Sequence, residues 1–249
     1  MTLNRRWSPR RDNPMQDINS RIQAYLVRAD LDRYLVQTPV IAKTIRGIMD
    51  AMGQLPTFNL DTLYGYPVPL LSEDGSCSLI NELAPVPYDL TAILGGRNDA
   101  TTRKLLLLNQ VVEYATQLSG ADWLGVYQVR ANAMQQRVLV KLAYRGRPSR
   151  AEFPLSTEFA YVKPGSTNST VGLEGSARVI DDVAAYTAEG GGFYVCDNAV
   201  QSEACLPIFD EAGAVIGIID AEAEPKQFFN PDRVSAVVAL ALVVPALLP

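Results

Sequence analysis

The sequence of 249 residues contains no histidine. This absence excludes a Ser-His or Cys-His catalytic dyad and any metal site that depends on imidazole ligands. Cysteine is also scarce, because the chain has three, and none of them forms the Cys-x-x-Cys pair of a structural zinc site. Any catalysis would therefore depend on cysteine, carboxylate, tyrosine, lysine or backbone groups, and we expect neither a metal ion nor a cofactor.

The distribution of the cysteines also bears on where the protein resides. Positions 77, 196 and 205 do not form the framework of a secreted disulfide-bonded domain, so we expect a reducing, cytoplasmic environment. We interpret Cys77 as an inert, half-buried thiol. We expect no secretory signal, because no apolar core follows the N-terminal arginines. The apolar run over 234–248 is too short to span a bilayer and predicts a buried helix, so we expect no membrane partner.

The charge and size of the chain limit its partners further. The formal net charge is −5, which argues against nucleic acid as a partner, because phosphate binding requires a basic surface. The hydrophobic fraction of 48% allows a sizeable core, and the length is consistent with one or two domains.

The first 98 residues contain two segments with different sequence patterns. Apolar residues recur at helical spacing from Asp17 to Met52, with a break before Pro39. Proline and glycine are then frequent over 53–98, which predicts an irregular arm with one short strand pair. We therefore expect a helical and irregular N-terminal extension over 1–98 and a second unit over 99–249.

The second unit reads as helices that flank antiparallel strands. Asn98 caps a long amphipathic helix that reaches Leu118. Two strands then follow around a turn at Asn132, a loop is expected at 164–169, and a second pair of strands precedes a final helix capped by Asn230. This order predicts an α+β fold with a mainly antiparallel sheet and terminal helices packed on one of its faces.

One thiol and three acids provide the candidate chemistry. Cys196 precedes a strand that contains Glu203, and the next strand contains Asp220 and Glu222. Asp220 and Glu222 are two positions apart, so their side chains point to the same face of the sheet. Two like charges on one face favour a raised pKa for at least one carboxyl, and such an acid beside a thiol suits thiol redox chemistry.

Two aromatic residues accompany this group. Trp123 and Tyr127 are four positions apart on a predicted strand and therefore share a face. From the residues alone, they line a pocket or pack in the core.

Four segments in order resemble a GAF domain over about residues 100–248, and within that family the free methionine-(R)-sulfoxide reductase branch. The segments are 121–127, 179–183, Cys196-Asp197 followed at the family's spacing by Ser202-Glu203, and 216–222. The resemblance implies a GAF-like fold with Trp123 and Tyr127 in the pocket. It also implies that Cys196 attacks the sulfoxide sulfur, while Glu203, Asp220 and Glu222 hold the ligand's ammonium and help to protonate the departing oxygen.

The chain departs from this family in its sulfur content. The family uses two further cysteines upstream of the nucleophile, but this chain has none between Cys77 and Cys196. Asn168-Ser169-Thr170 or Leu173-Glu174-Gly175 stands where the family has Cys-Gly-Thr. Cys205 is a core thiol or a substitute resolving thiol, and both interpretations stay open.

Three functions remain as hypotheses. The first is a GAF-type binding protein whose acidic pocket takes a small amino-acid-like ligand, with Cys196 as a vestigial or a redox-sensing thiol. The second is a reductase of free methionine-(R)-sulfoxide that uses Cys196 as nucleophile and an external thiol or Cys205 as resolver. The third is an interaction module whose N-terminal helices and arm mediate dimerisation or partner binding. The apolar terminal helices also favour a homodimer.

Overall fold

A computed structural model describes residues 14–53, 60–72, 82–162 and 164–249. The helices are α1 (Pro14–Arg28), α2 (Thr38–Ala51), α3 (Leu60–Tyr64), α4 (Leu90–Ile93), α5 (Asp99–Ser119), α6 (Thr157–Tyr161), α7 (Thr167–Glu174), α8 (Val183–Ala188) and α9 (Pro231–Val243), with 3-10 helices at Asp32–Gln37 and Val244–Leu247. The strands are β1 (Gly65–Tyr66), β2 (Tyr88–Asp89), β3 (Trp123–Ala131), β4 (Arg137–Arg145), β5 (Glu152–Pro154), β6 (Arg178–Ile180), β7 (Ser202–Phe209) and β8 (Val215–Ala223).

Local sequence signals determine where the long helices begin and end. The side chain of Asn98 accepts a hydrogen bond from the backbone N–H of Thr101 at the start of α5, and Gly120 ends this helix in the left-handed conformation with φ 71°. At the start of α9, Asn230 accepts from the N–H of Arg233, and Pro231 occupies the first turn. These boundaries, and the buried helix expected in the apolar C-terminal run, are confirmed.

Six strands form an antiparallel sheet in the order β5-β4-β3-β8-β7-β6. Strands β1 and β2 form a separate antiparallel pair within the predicted irregular arm. The predicted α+β fold, with a mainly antiparallel sheet and terminal helices packed on one face, is confirmed.

Alternation along the central strands separates two environments. Leu124, Leu206 and Ile219 face the helices and join a core that also contains residues of α1, α2, α5 and α9. Trp123 and Tyr127 face the other way and belong to a smaller cluster on the opposite side of the sheet. Trp123 and Tyr127, two of the candidate site residues, therefore lie on the face that the terminal helices leave uncovered.

The break expected before Pro39 is present between α1 and α2. The chain leaves α1 after Arg28, Asp30 adopts a φ of 58°, and a 3-10 helix over Asp32–Gln37 leads into α2 at Thr38. Pro39 lies in the first turn of α2, where its missing N–H costs no hydrogen bond.

The loop expected at 164–169 is wrong in its second half, because α7 begins at Thr167 with Ser166 as its cap. Cys77 lies outside the described residues, so its interpretation remains a prediction. The boundary between 1–98 and 99–249 also stays a prediction. Within the described parts of the chain, no helix has both the length and the apolar character needed to cross a membrane.

Candidate ligand-binding site

A small cavity lies on the uncovered face of the sheet, where α7 and the segment 193–196 cover the central strands. Its lining residues are Trp123, Tyr127, Ser149, Phe153, Ser166, Thr167, Asn168, Phe193, Tyr194, Cys196, Glu203, Asp220 and Glu222. The thiol position, the three acids and the two aromatic residues singled out in the sequence are therefore brought together, whereas Cys205 is not among the lining residues.

The register of three neighbouring strands accounts for this grouping. Glu203 of β7 lies directly opposite Glu222 of β8, and Trp123 of β3 lies opposite Glu222 on its other side. Cys205 lies opposite Asp220. Directly opposed side chains on antiparallel strands are about 5 Å apart at Cβ, so these groups interact across the strands.

Glu203 and Asp220 form a tightly coupled pair of buried acids. Burial raises the pKa of Glu203 well above its ordinary value, and repulsion from Asp220 and Glu222 raises it further. Burial also raises the pKa of Asp220, to about 6, although hydrogen bonds from Asn168 and Glu203 oppose the shift. Glu203 therefore holds the proton and donates it to Asp220.

Each acid of this pair also has one oxygen atom without a hydrogen-bond partner in the described part of the chain. Within the described residues, Glu203 Oε2 and Asp220 Oδ1 are buried and have no hydrogen-bond partner. A buried acceptor without a donor costs free energy, so a proton shared between the carboxyls or a donor from a ligand stabilises this arrangement.

Glu222 occupies a wetter position than the other two acids, because it is only half-buried. Its pKa is nonetheless raised, first by the loss of water around it and then by Asp220 and Asp197, whereas Lys141 lowers it. The three acids thus differ in environment although they share one cavity.

Asn168 also lines the cavity. The sequence identifies it only as part of a segment that stands where the family has Cys-Gly-Thr. Its Nδ2 donates to Asp220 Oδ2 at 3.1 Å, and its Oδ1 accepts from the thiol of Cys205 at 3.5 Å. Burial and the charge of Asp220 raise the pKa of Cys205, so this fully buried side chain remains a protonated thiol.

Cys196 lies in the segment that joins α8 to β7, and in this structure it is disulfide-bonded. Cys205 is a free cysteine and so is not its partner. The neighbouring Asp197 forms an ion pair with Arg147 at 2.9 Å. Cys196 would therefore have to be reduced before it could act as a nucleophile.

Three buried groups have the geometry of a partial metal site. The ligand atoms of Glu203, Cys205 and Asp220 lie within 4.8 Å of one another. Sulfur and carboxylate oxygen are ligands that zinc accepts, but a metal ion would have to displace the protons of the thiol and of the paired acids. The expectation of no metal ion rests on the lack of histidine and of a Cys-x-x-Cys pair, and this cluster contains neither.

The cavity is small. Its volume is about 20 Å³, which is close to the space that one water molecule requires. A second cleft of about 160 Å³ lies beside it and shares Trp123, Ser149, Cys196 and Glu222 with it. A ligand of amino-acid size is larger than the cavity alone and would also need space from this cleft.

Aromatic rings line the cavity together with the acids. Tyr127 lies 6.2 Å from Trp123 and 5.6 Å from Phe153 between ring centroids, and Tyr194 lies 5.7 Å from Phe153. Phe153 and Tyr194 were not identified from the sequence, because the segments that carry them contain no motif. The lining of the cavity thus combines acidic and aromatic side chains.

Comparison with known proteins agrees with this fold. The family model of the GAF domain matches residues 105–244, which is more than half of the chain. No curated protein matches the sequence.

Several solved structures are similar at low sequence identity. A type II free methionine-R-sulfoxide reductase from Thermoplasma acidophilum is 19% identical, and the match covers 60% of this chain and 94% of that one with a TM-score of 0.49. A free methionine-R-sulfoxide reductase from Neisseria meningitidis, in complex with its substrate, is 20% identical over 63% and 82% of the two chains, with a TM-score of 0.47. A putative GAF sensor protein from Burkholderia vietnamiensis is 22% identical over 59% and 81%, with a TM-score of 0.44. On the match of the family model, this chain belongs to the GAF domain family.

Proposed function

We propose that this protein binds a small amino-acid-like ligand, whose ammonium group pairs with the acids of the cavity. The observation that carries the proposal is the convergence of Glu203, Asp220 and Glu222 on one cavity. Acids placed this close together repel one another and lose hydration, and a ligand cation relieves both costs. Small-molecule binding is also the general function of GAF domains.

The aromatic residues of the lining support a ligand with an apolar side chain. Trp123, Tyr127 and Phe153 provide rings that suit an alkyl or thioether group. A zwitterion with a short sulfur-containing side chain, such as methionine or its sulfoxide, matches both the acids and the rings of the cavity.

Isothermal titration calorimetry with methionine, methionine sulfoxide and N-acetylmethionine tests this proposal. We expect binding that the Glu222→Gln substitution weakens at least about tenfold, because the ammonium loses a charged partner. Glu158→Gln, at an exposed position on α6, is the matched control and leaves the affinity unchanged. Equal binding of N-acetylmethionine, which has no ammonium group, would contradict the proposal.

A second function is supported by the place of Cys196 on the same cavity wall as the acids. In this reading the protein reduces free methionine-(R)-sulfoxide. An external thiol first reduces the disulfide of Cys196, and the thiolate then attacks the sulfoxide sulfur. The sulfoxide oxygen passes to Cys196 as a sulfenic acid, with proton transfer from the Glu203–Asp220 pair, and methionine leaves.

The cycle closes when a second thiol, external or that of Cys205, attacks the sulfenic acid and expels water. The resulting disulfide is reduced by further external thiol. The net reaction converts one sulfoxide and two thiols into methionine, one disulfide and water, so atoms and electrons balance.

Methionine release from the separate R and S sulfoxides, measured with dithiothreitol present, tests this second function. We expect turnover of the R form that Cys196→Ser abolishes. Cys205→Ser distinguishes the two resolvers, because it slows turnover only if Cys205 acts in the cycle. Ligand binding without any turnover by the reduced protein would contradict the reductase and leave the binding function standing.

A further inference from the structure

Three side chains of neighbouring strands bring one sulfur atom and two carboxyl groups together beside the cavity. Glu203 and Cys205 are two positions apart on β7 and share a face, and Asp220 lies directly opposite Cys205 on β8. One ligand atom from each of the three residues lies within 4.8 Å of those of the other two. Their exposed fractions are 2%, 0% and 3%. The strand register thus builds a compact, buried group of three potential metal ligands.

Two oxygen atoms of this cluster lack a donor. Among the described residues, neither Glu203 Oε2 nor Asp220 Oδ1 has a hydrogen-bond partner, and both atoms are buried. Asn168 donates to the other oxygen of Asp220, at 3.1 Å. No lysine or arginine within the described ranges forms an ion pair with either acid. The cluster therefore has acceptor atoms in place, without the donor or cation that usually compensates the loss of water.

A proton shared by the two carboxyls would satisfy these oxygens, but it leaves the position of the thiol unexplained. Such a pair needs only Glu203 and Asp220, whereas Cys205 adds a third ligand atom at the same place. The thiol contacts Asn168 Oδ1 at 3.5 Å, which is a weak hydrogen bond. A divalent cation engages all three ligand atoms at once. It replaces the thiol proton and the shared proton, so the net charge of the cluster is unchanged.

The ligand set selects the class of ion. Zinc accepts thiolate sulfur at about 2.3 Å and carboxylate oxygen at about 2.0–2.2 Å, so ligand atoms around a tetrahedral zinc ion are about 3.5 Å apart. Three atoms within 4.8 Å of one another need to approach by about 1 Å at most. Magnesium and calcium instead prefer six or more oxygen ligands. One sulfur and two carboxyl groups therefore match a thiophilic divalent cation of the zinc class.

The cavity provides the fourth coordination position of such an ion. Glu203 and Asp220 line the cavity, whereas Cys205 does not. An ion held by the three would therefore have its sulfur ligand on the side away from the cavity. The cavity volume of about 20 Å³ is close to the space that one water molecule requires. Three protein ligands and one water form the open type of zinc site, in contrast to structural sites with four protein ligands.

We propose that Glu203, Cys205 and Asp220 bind a thiophilic divalent cation such as Zn²⁺, with the fourth coordination position open to the cavity. Glu222 lines the same cavity but is not a member of the cluster. It therefore stays available to an ammonium group when the ion is bound. The metal site thus does not depend on the proposed function, and the two can be tested separately.

Cobalt(II) is the probe for this site, because it replaces zinc and its bond to a thiolate gives a charge-transfer absorption band in the near ultraviolet. The full chain is freed of metal with a chelator and titrated with cobalt chloride. Reductant is left out, so that the disulfide of Cys196 stays intact. We expect the band to saturate at a single ion per chain. Zinc should abolish the band by displacing cobalt, and magnesium should leave it unchanged.

Substitutions assign the ligands. Cys205→Ser should remove the charge-transfer band, because a hydroxyl group gives no such absorption. Glu203→Gln is expected to weaken cobalt binding at least about tenfold, because the neutral amide replaces a charged ligand. Glu158→Gln, at an exposed position on α6, is the matched control and leaves cobalt binding unchanged.

Two results would overturn the proposal. They are a band that persists in folded Cys205→Ser protein and a wild-type protein that binds no cobalt, which would leave the two acids as a proton-sharing pair. If Cys205→Ser does not fold, X-ray absorption by the zinc-loaded wild type decides instead. We expect one sulfur at about 2.3 Å and oxygen at about 2.0 Å from the ion, and a spectrum without sulfur would overturn the proposal. Cobalt binding with the thiolate band, by a protein that binds no amino acid, would contradict only the proposed function.

Discussion

The raised pKa of Asp220 makes the stability of the protein depend on pH. Its pKa rises from an ordinary value of 3.8 to about 6 because folding buries it. Between these two pH values the folded protein binds a proton that the unfolded chain has released. Stability from this group is thus complete below pH 4 and is lost as the pH rises through about 6.

We therefore expect the Asp220→Asn variant to have a flatter stability profile than the wild type between pH 4 and pH 6. The amide cannot ionise, yet it keeps an oxygen to accept from Asn168. The wild-type free energy of unfolding should fall relative to the variant by on the order of 2 kcal/mol across this range.

Urea denaturation of the metal-free protein at closely spaced pH values provides the measurement. Asp50→Asn, at an exposed position on α2, is the control, and its free energy of unfolding should change with pH as that of the wild type does. A difference between wild type and Asp220→Asn that does not change with pH would show that burial does not raise the pKa of Asp220.

At the scale of secondary structure, the cap of α5 is a local feature with a measurable contribution. The Asn98 side chain satisfies the N–H of Thr101, which has no partner within the helix. Asn98→Ala is expected to lower the free energy of unfolding by about 1 kcal/mol. Chemical denaturation measures the loss, with Arg103→Ala at an exposed position of α5 as the control. A loss no larger than that of the control would contradict the capping role.

Elements with local signals could be predicted from the sequence, and α7 shows why others could not. Helices α5 and α9 carry caps and long apolar patterns that specify them without tertiary information. The first turn of α7 buries Thr167, Asn168 and Ser169, so its polar sequence resembles a loop. The helix forms there because tertiary packing covers these residues and Asp220 receives a hydrogen bond from Asn168.

The same distinction applies to the candidate site. Alternation on β8 placed Asp220 and Glu222 on one face, because side-chain direction follows from the strand itself. By contrast, the buried Lys141 contacts Ser149 of the cavity lining and Tyr66, which is 75 residues away in sequence, and no local pattern links these residues. The one available signal was a charged residue inside the apolar run 138–143.

At the scale of the whole molecule, the sheet has the large hydrophobic core on one face and the candidate binding cavity on the other. The core that joins the sheet to the helices occupies one face, and the cavity with its unpartnered acids occupies the other. Buried acids lower the free energy of unfolding, because they lose hydration. The burial of a large apolar core on the opposite face raises the free energy of unfolding and offsets this loss. The large core can therefore offset the cost of two buried carboxyl oxygens without a hydrogen-bond partner among the described residues, Glu203 Oε2 and Asp220 Oδ1.

Residues of α1 and α2 pack into the same core as the sheet and α9. Ile22 and Leu26 of α1 and Ile41 of α2 are fully buried in the same cluster as Val237 of α9. The hydroxyl of Tyr25 also donates to the carbonyl oxygen of Pro207 on β7 at 2.8 Å. Unfolding α1 would therefore expose part of the core that supports the central strands.

Hydrogen exchange measured by mass spectrometry on the full chain tests whether the helices and the sheet unfold together. We expect the slowest amides of α1 and α2 to exchange at the rate of those in β7 and β8, since each opening breaches the shared core. Tyr25→Phe keeps the ring beside Phe209 but removes the hydrogen bond to Pro207, so it should accelerate exchange in the helices and the sheet alike. Faster exchange in α1 alone, with the sheet still protected, would mean that residues 1–98 unfold as an independent extension.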